Sequence, residues 1–467
     1  MPECFTVLFD EIEERIDPLY YASDVFQVLK KSNFEIKTIG DIAIYIKTGF
    51  PAGENLQSQN EEGTIQIRPT NINEDNLLYF DKNIFIKPEI TEKRKTELLK
   101  KEEVLFNNTN SQELVGKTAY FDLDGKYFCS NHITRIKVNE EAVLPRYLWI
   151  LLNQYQRNKV FFVLCTNWNN QSGVNIELLK KIKIPIPKIS EQKKIISIYE
   201  TISNQKKQKE SEAQKLLDSI NNYVLDELGI KLPELKDKMI YVVNSEEVSN
   251  NRADPRYYKP YFKEFEEQLT KRKDIKNIGE ISKYVGSGAT PKAGGDDYTS
   301  SERGIPFIRI VNLRNNTVVL DDVLYIKNEI HEGMLKRTQL KLNDVLLSMA
   351  GTIGLSVVVP KNLGEANINQ AIARIVVKDN VNPFYLSALL NSKIGKIQTD
   401  RLSRPAVQAN INLEEIRALK IPIPPLSIQN KIAEEVKRRM QKAEQLQKEA
   451  KEELEKAKQE VEKIILG

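Results

Sequence analysis

The sequence is poor in the residues that build metal sites and covalent cross-links. Its 467 residues include three cysteines, two histidines and two tryptophans. Cys4, Cys129 and Cys165 show no close-paired spacing, so neither a disulfide framework nor a structural zinc site is expected. His132 and His331 stand far apart, with no nucleophile or metal partner evident beside either, and no catalytic constellation is legible. No apolar run nears the roughly 20 residues that cross a bilayer, so no membrane association is expected. The first residues, MPECFTVLFDEIEER, are acidic where a signal peptide would be basic. A reduced, cytoplasmic compartment is the expectation. Charge of one sign is also missing: 69 Lys and Arg face 65 Asp and Glu, a net +4. That balance permits a nucleic-acid partner without arguing for one.

What the chain does have is a duplication. The pentapeptide KIPIP occurs at Lys183–Pro187 and at Lys420–Pro424, 237 residues apart, followed both times by Ser and, two residues on, Gln (Ser190 and Gln192; Ser427 and Gln429). RIDPLYY at Arg15–Tyr21 returns as RADPRYY at Arg252–Tyr258, and IKTIGDI at Ile36–Ile42 as IKNIGEI at Ile275–Ile281. Ile67-Arg68 with Asn71 matches Ile308-Arg309 with Asn312. PRYL at Pro145–Leu148 matches PFYL at Pro383–Leu386, and each leads into Leu-Leu-Asn. The matches are collinear and far too long in period for a solenoid. Ile65–Ile67, Phe307–Val311, Val357–Val359 and Ile372–Val377 read as strands. Pro383–Leu390 reads as a helix with proline in its first turn.

Each KIPIP ends a globular part, because two prolines cannot enter a helix, and a long helix starts after it. In the second helix Val436, Ala443, Ala450, Ala457 and Ile464 recur every seven residues, with Met440, Leu454 and Val461 beside them. This heptad-like stripe of small residues suits close helix packing. In the first, Ile195, Tyr199, Ile202, Ala213, Leu216, Ile220 and Val224 form a stripe that lapses between Gln205 and Glu212. No Gly or Pro lies there, so the helix is expected to continue through the lapse and to stop at Gly229, before Pro233. Residues 425–467 hold ten basic and nine acidic side chains, and residues 188–233 eight and seven. Helices so near neutral do not track phosphates; they read as a spacer that packs on itself or on a partner protein. The expected domains are 1–187, a spacer at 188–232, a second domain at 233–424 and a second spacer at 425–467.

Taken together, KIPIPKISEQKKI at Lys183–Ile195, KIPIPPLSIQNKI at Lys420–Ile432, AGTIGL at Ala350–Leu355 and QANINLEEIRALKIPIP at Gln408–Pro424 resemble the DNA-specificity subunit of Type I restriction–modification systems. The resemblance covers the whole chain. It implies an α+β fold: two mixed α/β target-recognition domains, two long helices forming an antiparallel coiled coil, and an internal pseudo-two-fold axis. It implies a subunit without catalysis or cofactor that reads a bipartite site on double-stranded DNA. It also implies methyltransferase subunits, two of them, and restriction subunits as partners. The first half departs at Glu113–Ala119, where ELVGKTA stands for AGTIGL.

Other motifs point elsewhere only superficially. Asn382-Pro383-Phe384-Tyr385 is similar to the Asn/Asp-Pro-Pro-Tyr motif of amino-methyltransferases, but lacks the second proline, and Leu144-Pro145-Arg146-Tyr147 at the matched place cannot serve. A proline opening a core helix is the expectation. Gly286-Ser287-Gly288 and Gly294-Gly295 complete neither phosphate-binding pattern. A self-contained methyltransferase or nuclease remains an alternative, as does a coiled-coil scaffold without a DNA role.

Base contacts favour Arg for guanine and Asn or Gln for adenine, while Lys, Ser and Thr more often hold phosphates. The candidates are Arg68, Thr70, Asn71, Asn169, Asn170 and Gln171 in the first half. In the second they are Thr290, Lys292, Arg309, Asn312, Arg314, Arg401, Arg404, Gln408 and Asn410. Trp168, beside them, is expected in the core.

Overall fold

A computed structural model describes residues 33–59, 61–168, 171–234, 240–244, 248, 252, 254–292, 296–314, 317–404 and 410–466. The first RxDPxYY copy, Cys4, Gly294-Gly295 and the candidates Asn169, Asn170 and Gln408 lie outside these residues. The chain forms two compact units, one from Met1–Lys209 with Lys448–Gly467, the other from Glu210–Gln447.

The first unit holds β1 (Glu35–Thr38), β2 (Ala43–Thr48), β3 (Thr64–Ile67), β4 (Phe85–Ile86), β5 (Glu103–Asn107), β6 (Thr109–Asn110), β7 (Thr118–Phe121), β8 (Tyr127–Cys129), β9 (Ile133–Val138), β10 (Thr166–Trp168), β11 (Gln171–Gly173) and β12 (Lys183–Ile186). Its main sheet is antiparallel with order β2-β9-β5-β7, beside smaller sheets β4-β3-β8, β10-β11-β6 and β1-β12. Helix α1 (Pro145–Arg157) packs its apolar residues into the same core.

The second unit repeats the plan with β13 (Ile275–Asn277), β14 (Ser282–Ser287), β15 (Tyr298–Thr299), β16 (Ile305–Ile308), β17 (Leu313–Arg314), β18 (Thr317–Val318), β19 (Leu324–Ile326), β20 (Val345–Ser348), β21 (Ser356–Val358), β22 (Asn367–Ile368), β23 (Ile372–Val377) and β24 (Lys420–Pro422). The orders are β14-β23-β20-β21, β15-β19-β16-β22, β17-β18 and β13-β24. Helix α2 (Pro383–Asn391) takes the place of α1. The strand expected at Phe307–Val311 stops at Ile308, because Ile310–Asn312 turns into a 3-10 helix.

The repeated motifs are structural partners of one another. Strand β1, within IKTIGDI, pairs with β12, within KIPIP, and β13 pairs with β24. Proline is tolerated there because these two-stranded sheets have free edges. Tyr147 Oη donates to Pro185 O and Tyr385 Oη to Pro422 O, both at 2.8 Å. Asn153 Oδ1 accepts from Thr118 N at 3.0 Å while its Nδ2 donates to Thr118 O at 2.8 Å. Asn391 serves Ser356 in the same way at 2.9 and 2.7 Å. A buried ion pair is duplicated too: Arg135 NH2 to Glu103 at 2.5 Å, and Arg374 Nε to Asp344 at 2.6 Å.

The first long helix runs unbroken from Ile189 to Leu228 and the second from Leu426 to Leu466. Gly229, at φ 62°, ends the first, as its position predicts. Inside the first unit, Ile195 and Tyr199 share a core with Leu454, Val461 and Ile465. Further along, Lys209 Nζ donates to Glu449 at 3.1 Å and to Glu453 at 2.6 Å. The segments therefore run antiparallel. Inside the second unit, Arg439 donates to Ser219 Oγ at 2.8 Å and Lys431 to Glu227 at 2.7 Å, again antiparallel. The polar lapse in the first stripe has a cause: Lys206 is buried against Asp75, and Lys209 reaches its two glutamates. The heptad stripe is buried at Val436, Ala443, Ala450 and Ala457, but Ile465 replaces Ile464 as the fully buried residue. A straight helix drifts about 20° per heptad, which over four heptads approaches one residue step.

Candidate nucleic-acid interface

In each unit one turn gathers three segments. In the first unit the turn after β8 donates Ser130 N to Ile67 O at 2.9 Å, which ties down the Arg68 loop. His132 O accepts from Asn108 N at 3.0 Å, which ties down β6 and, through it, the β10–β11 hairpin. Gly49 touches the same turn: a Cβ there would lie 1.8 Å from Cys129 O, so only glycine fits. In the second unit Asn369 N donates to Ile308 O at 3.2 Å and Ala371 O accepts from Met349 N at 2.8 Å. Ala350 bridges Asn410, and a Cβ on Gly288 would lie 1.7 Å from Ile368 O. Close backbone approach thus accounts for Gly288, whose loop carries the exposed Thr290 and Lys292.

The loops between β5 and β7, and between β20 and β21, differ in length but close alike. Gly116 (φ 91°) donates to Asn107 O at 2.9 Å; Gly354 (φ 83°) donates to Ser348 O at 3.0 Å. The departure of ELVGKTA from AGTIGL leaves this closing turn intact.

Several sequence candidates prove to be structural. Asn71 and Asn312 are 2% and 0% exposed. Asn71 Oδ1 accepts from Arg68 N at 3.0 Å and its Nδ2 donates to Tyr79 O at 3.2 Å. Asn312 does the same with Arg309 N at 3.0 Å and Asp321 O at 2.9 Å. With both amide ends used inside the fold, neither presents an edge to a base. Arg401 is paired with Glu266, stacks 4.4 Å from the Tyr257 ring centroid, and donates from Nε to Tyr257 O at 3.1 Å. Arg404 binds Glu415 at 2.8 Å. Arg401 is thereby held within the fold, whereas Arg404, its side chain 45% exposed, faces solvent beside Glu415.

Other candidates remain presented. Thr70, Gln171, Arg314 and Asn410 are exposed. Arg68 and Arg309 are half-buried, and burial lowers the Arg68 pKa. Arg309 NH2 donates to Asp322 O at 2.8 Å, while its Nε is buried without a partner among the described residues. Trp168, expected in the core, is 45% exposed on the hairpin. Asn382 caps α2 by accepting from Phe384 N at 2.8 Å and Tyr385 N at 3.1 Å, so Pro383 does open a core helix.

Sequence reasoning overlooked the gathering turns themselves, with Asn131 and His132 half-buried and Gln370 exposed. A signal was present: ITRI at Ile133–Ile136 and IARI at Ile372–Ile375 are another repeated pair, and each turn directly precedes one. Among the described residues no helix is long and apolar enough to cross a membrane, and no cluster of three or more His, Cys, Asp or Glu could hold a metal.

Comparison with known proteins agrees with this duplication. The chain is similar to the type I restriction enzyme MjaX specificity subunit of Methanocaldococcus jannaschii, 25% identical over 352 residues, 72% of this chain and 71% of the relative. It is also similar to the type I restriction enzyme EcoBI specificity subunit of Escherichia coli, 26% identical over 156 residues, 33% of this chain and 32% of the relative. Among solved structures, a chain from a type I R-M system matches at 16% identity and a TM-score of 0.49, covering 92% of this chain and 96% of that one. The sequence model of the Type I restriction modification DNA specificity domain matches twice, at residues 31–217 and 271–456, and the chain therefore belongs to that family.

Proposed function

We propose that this chain is the DNA-reading, non-catalytic subunit of a Type I restriction–modification enzyme, and that each unit reads one half of a bipartite site. The observation that carries the reading is the repeated turn: the same three segments converge on it in both units, yet their side chains differ. Arg68-Pro69-Thr70-Asn71 stands where the second unit has Arg309-Ile310-Val311-Asn312. A common scaffold with different presented residues suits two different half-sites.

The contact set on this reading is Arg68, Thr70, Gln171, Thr290, Lys292, Arg309, Arg314 and Asn410, to which the sequence adds Asn169, Asn170 and Gln408. Asn71 and Asn312 instead hold the arginine loops in shape. The paired long helices act as the ruler. A 40-residue helix is about 60 Å long at roughly 1.5 Å per residue, against about 34–36 Å for one turn of B-DNA. The helices would seat two methyltransferase subunits, with restriction subunits joining in the full complex, in the cytoplasm.

Titrating the pure chain with duplex DNA at rising salt tests the reading, because a phosphate-contacting reader loses affinity steeply. Salt-independent binding, or none, would leave only the scaffold reading. Methylation of DNA by the chain alone with labelled S-adenosylmethionine would overturn the non-catalytic assignment. Mapping methylated sites in a genome carrying the chain with its partners would show both half-sites.

A further inference from the structure

The two tryptophans have opposite surroundings. Trp149 is 6% exposed, and its Nε1 donates to Thr118 O at 2.9 Å and to Asn76 O at 3.3 Å. A buried indole ordinarily finds such a partner. Trp168 is 45% exposed, and its indole makes no hydrogen bond among the described residues. Its exposure is built into the hairpin. A Cβ on Gly173 would lie 2.3 Å from Trp168 Cη2 and 3.0 Å from Cζ3, so the six-membered ring rests on bare backbone that any side chain would push it off. The hairpin is braced from within, since Ser172 Oγ donates to Asn167 Oδ1 at 2.6 Å. It is also fixed to the gathering turn: Gly173 pairs with Thr109, and Val174 N donates to Asn108 O at 2.9 Å.

We propose that Trp168 is a base-stacking residue of the first unit, its seated indole covering a base or base step within the half-site that this unit reads. This rests on the DNA-reading function argued above. An exposed indole offers a flat π surface, and every base has one to match. Apolar side chains of this kind also insert between base steps of duplex DNA. The neighbours fit the same partner. Gln171 is exposed directly opposite Trp168 in the register, and Asn167 is exposed one residue before it. Gln171 carries the kind of amide that reads base edges, whereas the Asn167 carbonyl end is engaged in bracing the hairpin. Residues 166–173 include no acidic side chain that would repel phosphates.

The chain's tryptophan count makes the test direct. Fluorescence of the full chain and of its Trp168→Phe variant is measured during acrylamide quenching; the difference reports Trp168 against an unchanged Trp149. The probe is a random-sequence duplex pool enriched by binding to the full chain. Shielding of Trp168 by the enriched duplex is expected. Trp168→Ala should weaken binding by about tenfold or more, the scale of one lost aromatic–base stack, whereas Trp168→Phe should keep most of the affinity. Circular dichroism of Trp168→Ala guards against misfolding, and Gly173→Ala, which unseats the ring while keeping it, should weaken binding as well. If the duplex binds but Trp168 stays fully quenchable and Trp168→Ala binds as wild type, the stacking role is wrong and DNA reading stands. If wild type binds no DNA, the reading itself fails and this role with it. Shielding by a methyltransferase subunit and not by DNA would assign the indole to a protein interface and overturn the proposal.

Discussion

Gln192 and Gln429, the glutamines that follow the two KIPIP motifs, make the same three hydrogen bonds. Nε2 donates to Pro187 O and Pro424 O, respectively, both at 2.8 Å, and also to Ala142 O at 3.0 Å and Asn380 O at 3.2 Å. Oε1 accepts from Leu144 N at 2.8 Å and Asn382 N at 3.0 Å. Both are fully buried. Each glutamine therefore clasps the end of the strand, the start of the domain helix and the first turn of the long helix in one place. Replacing Gln429 by Leu strands two carbonyls and an N–H. A loss of about 2 kcal/mol or more in urea unfolding of the full chain is expected, given that one buried unsatisfied group costs about 1–3 kcal/mol. Wild-type stability in this variant would show that the clasp is incidental.

The duplicated ion pairs should behave as coupled units. Arg135 is held by Glu103 and by the carbonyls of Glu97 and Leu98 at 2.7 and 2.8 Å. Arg135→Leu leaves a buried carboxylate and should cost about 3–5 kcal/mol. Arg135→Leu with Glu103→Leu should cost less than the single change. Denaturant melts of the two variants and the wild type decide this; a double variant that loses as much as the single one, or more, would contradict the coupling.

Acid should loosen the helix pair in the second unit. Hydrogen bonds from Arg438 and then Arg439 lower the Glu435 pKa to about 2 from its ordinary 4.5. Arg439, so oriented, donates to Ser219 on the other helix. Because the folded value is depressed, the contribution is complete above pH 4.5 and disappears as pH falls toward 2. Its size is about 1 kcal/mol or less for a partly exposed pair. Unfolding curves of wild type and Glu435→Gln should therefore differ at neutral pH and converge near pH 2. A gap that stays constant through this range would exclude Glu435 as the titrating group.

Spacing tests the ruler. Four residues inserted between Lys209 and Glu210, matched by four between Gln447 and Lys448, leave the bonds within each unit unchanged. They add about 6 Å of helix and close to one full turn. The unread gap between half-sites should lengthen by one or two base pairs, at roughly 3.4 Å each, with both half-site sequences unchanged. Two-residue insertions should rotate the apolar stripes out of phase and abolish activity. Methylation mapping reads the outcome; an unchanged gap in an active four-residue variant would remove the helices from the spacing role.

The sequence by itself determined the duplication, the strand that closes each KIPIP, the unbroken helix across Gln205–Glu212 and its stop at Gly229. These are matters of local chemistry: proline lacks an N–H, glycine takes φ 62° at least cost, and collinear repeats declare themselves without a structure. Only the tertiary structure decided what individual polar side chains do. Asn71 and Asn312 repeat with the same turn, which engages both ends of each amide inside the fold. Arg401 is neutralised by Glu266, which lies 135 residues away in sequence. Trp168 stands outside the core, its ring seated over Gly173 across the hairpin. The long helices, read from sequence as spacers, also supply Ile195, Tyr199, Val461 and Ile465 to the core of the first unit. Each of these outcomes depends on contacts between distant residues, and no local spacing or propensity encodes which distant group arrives.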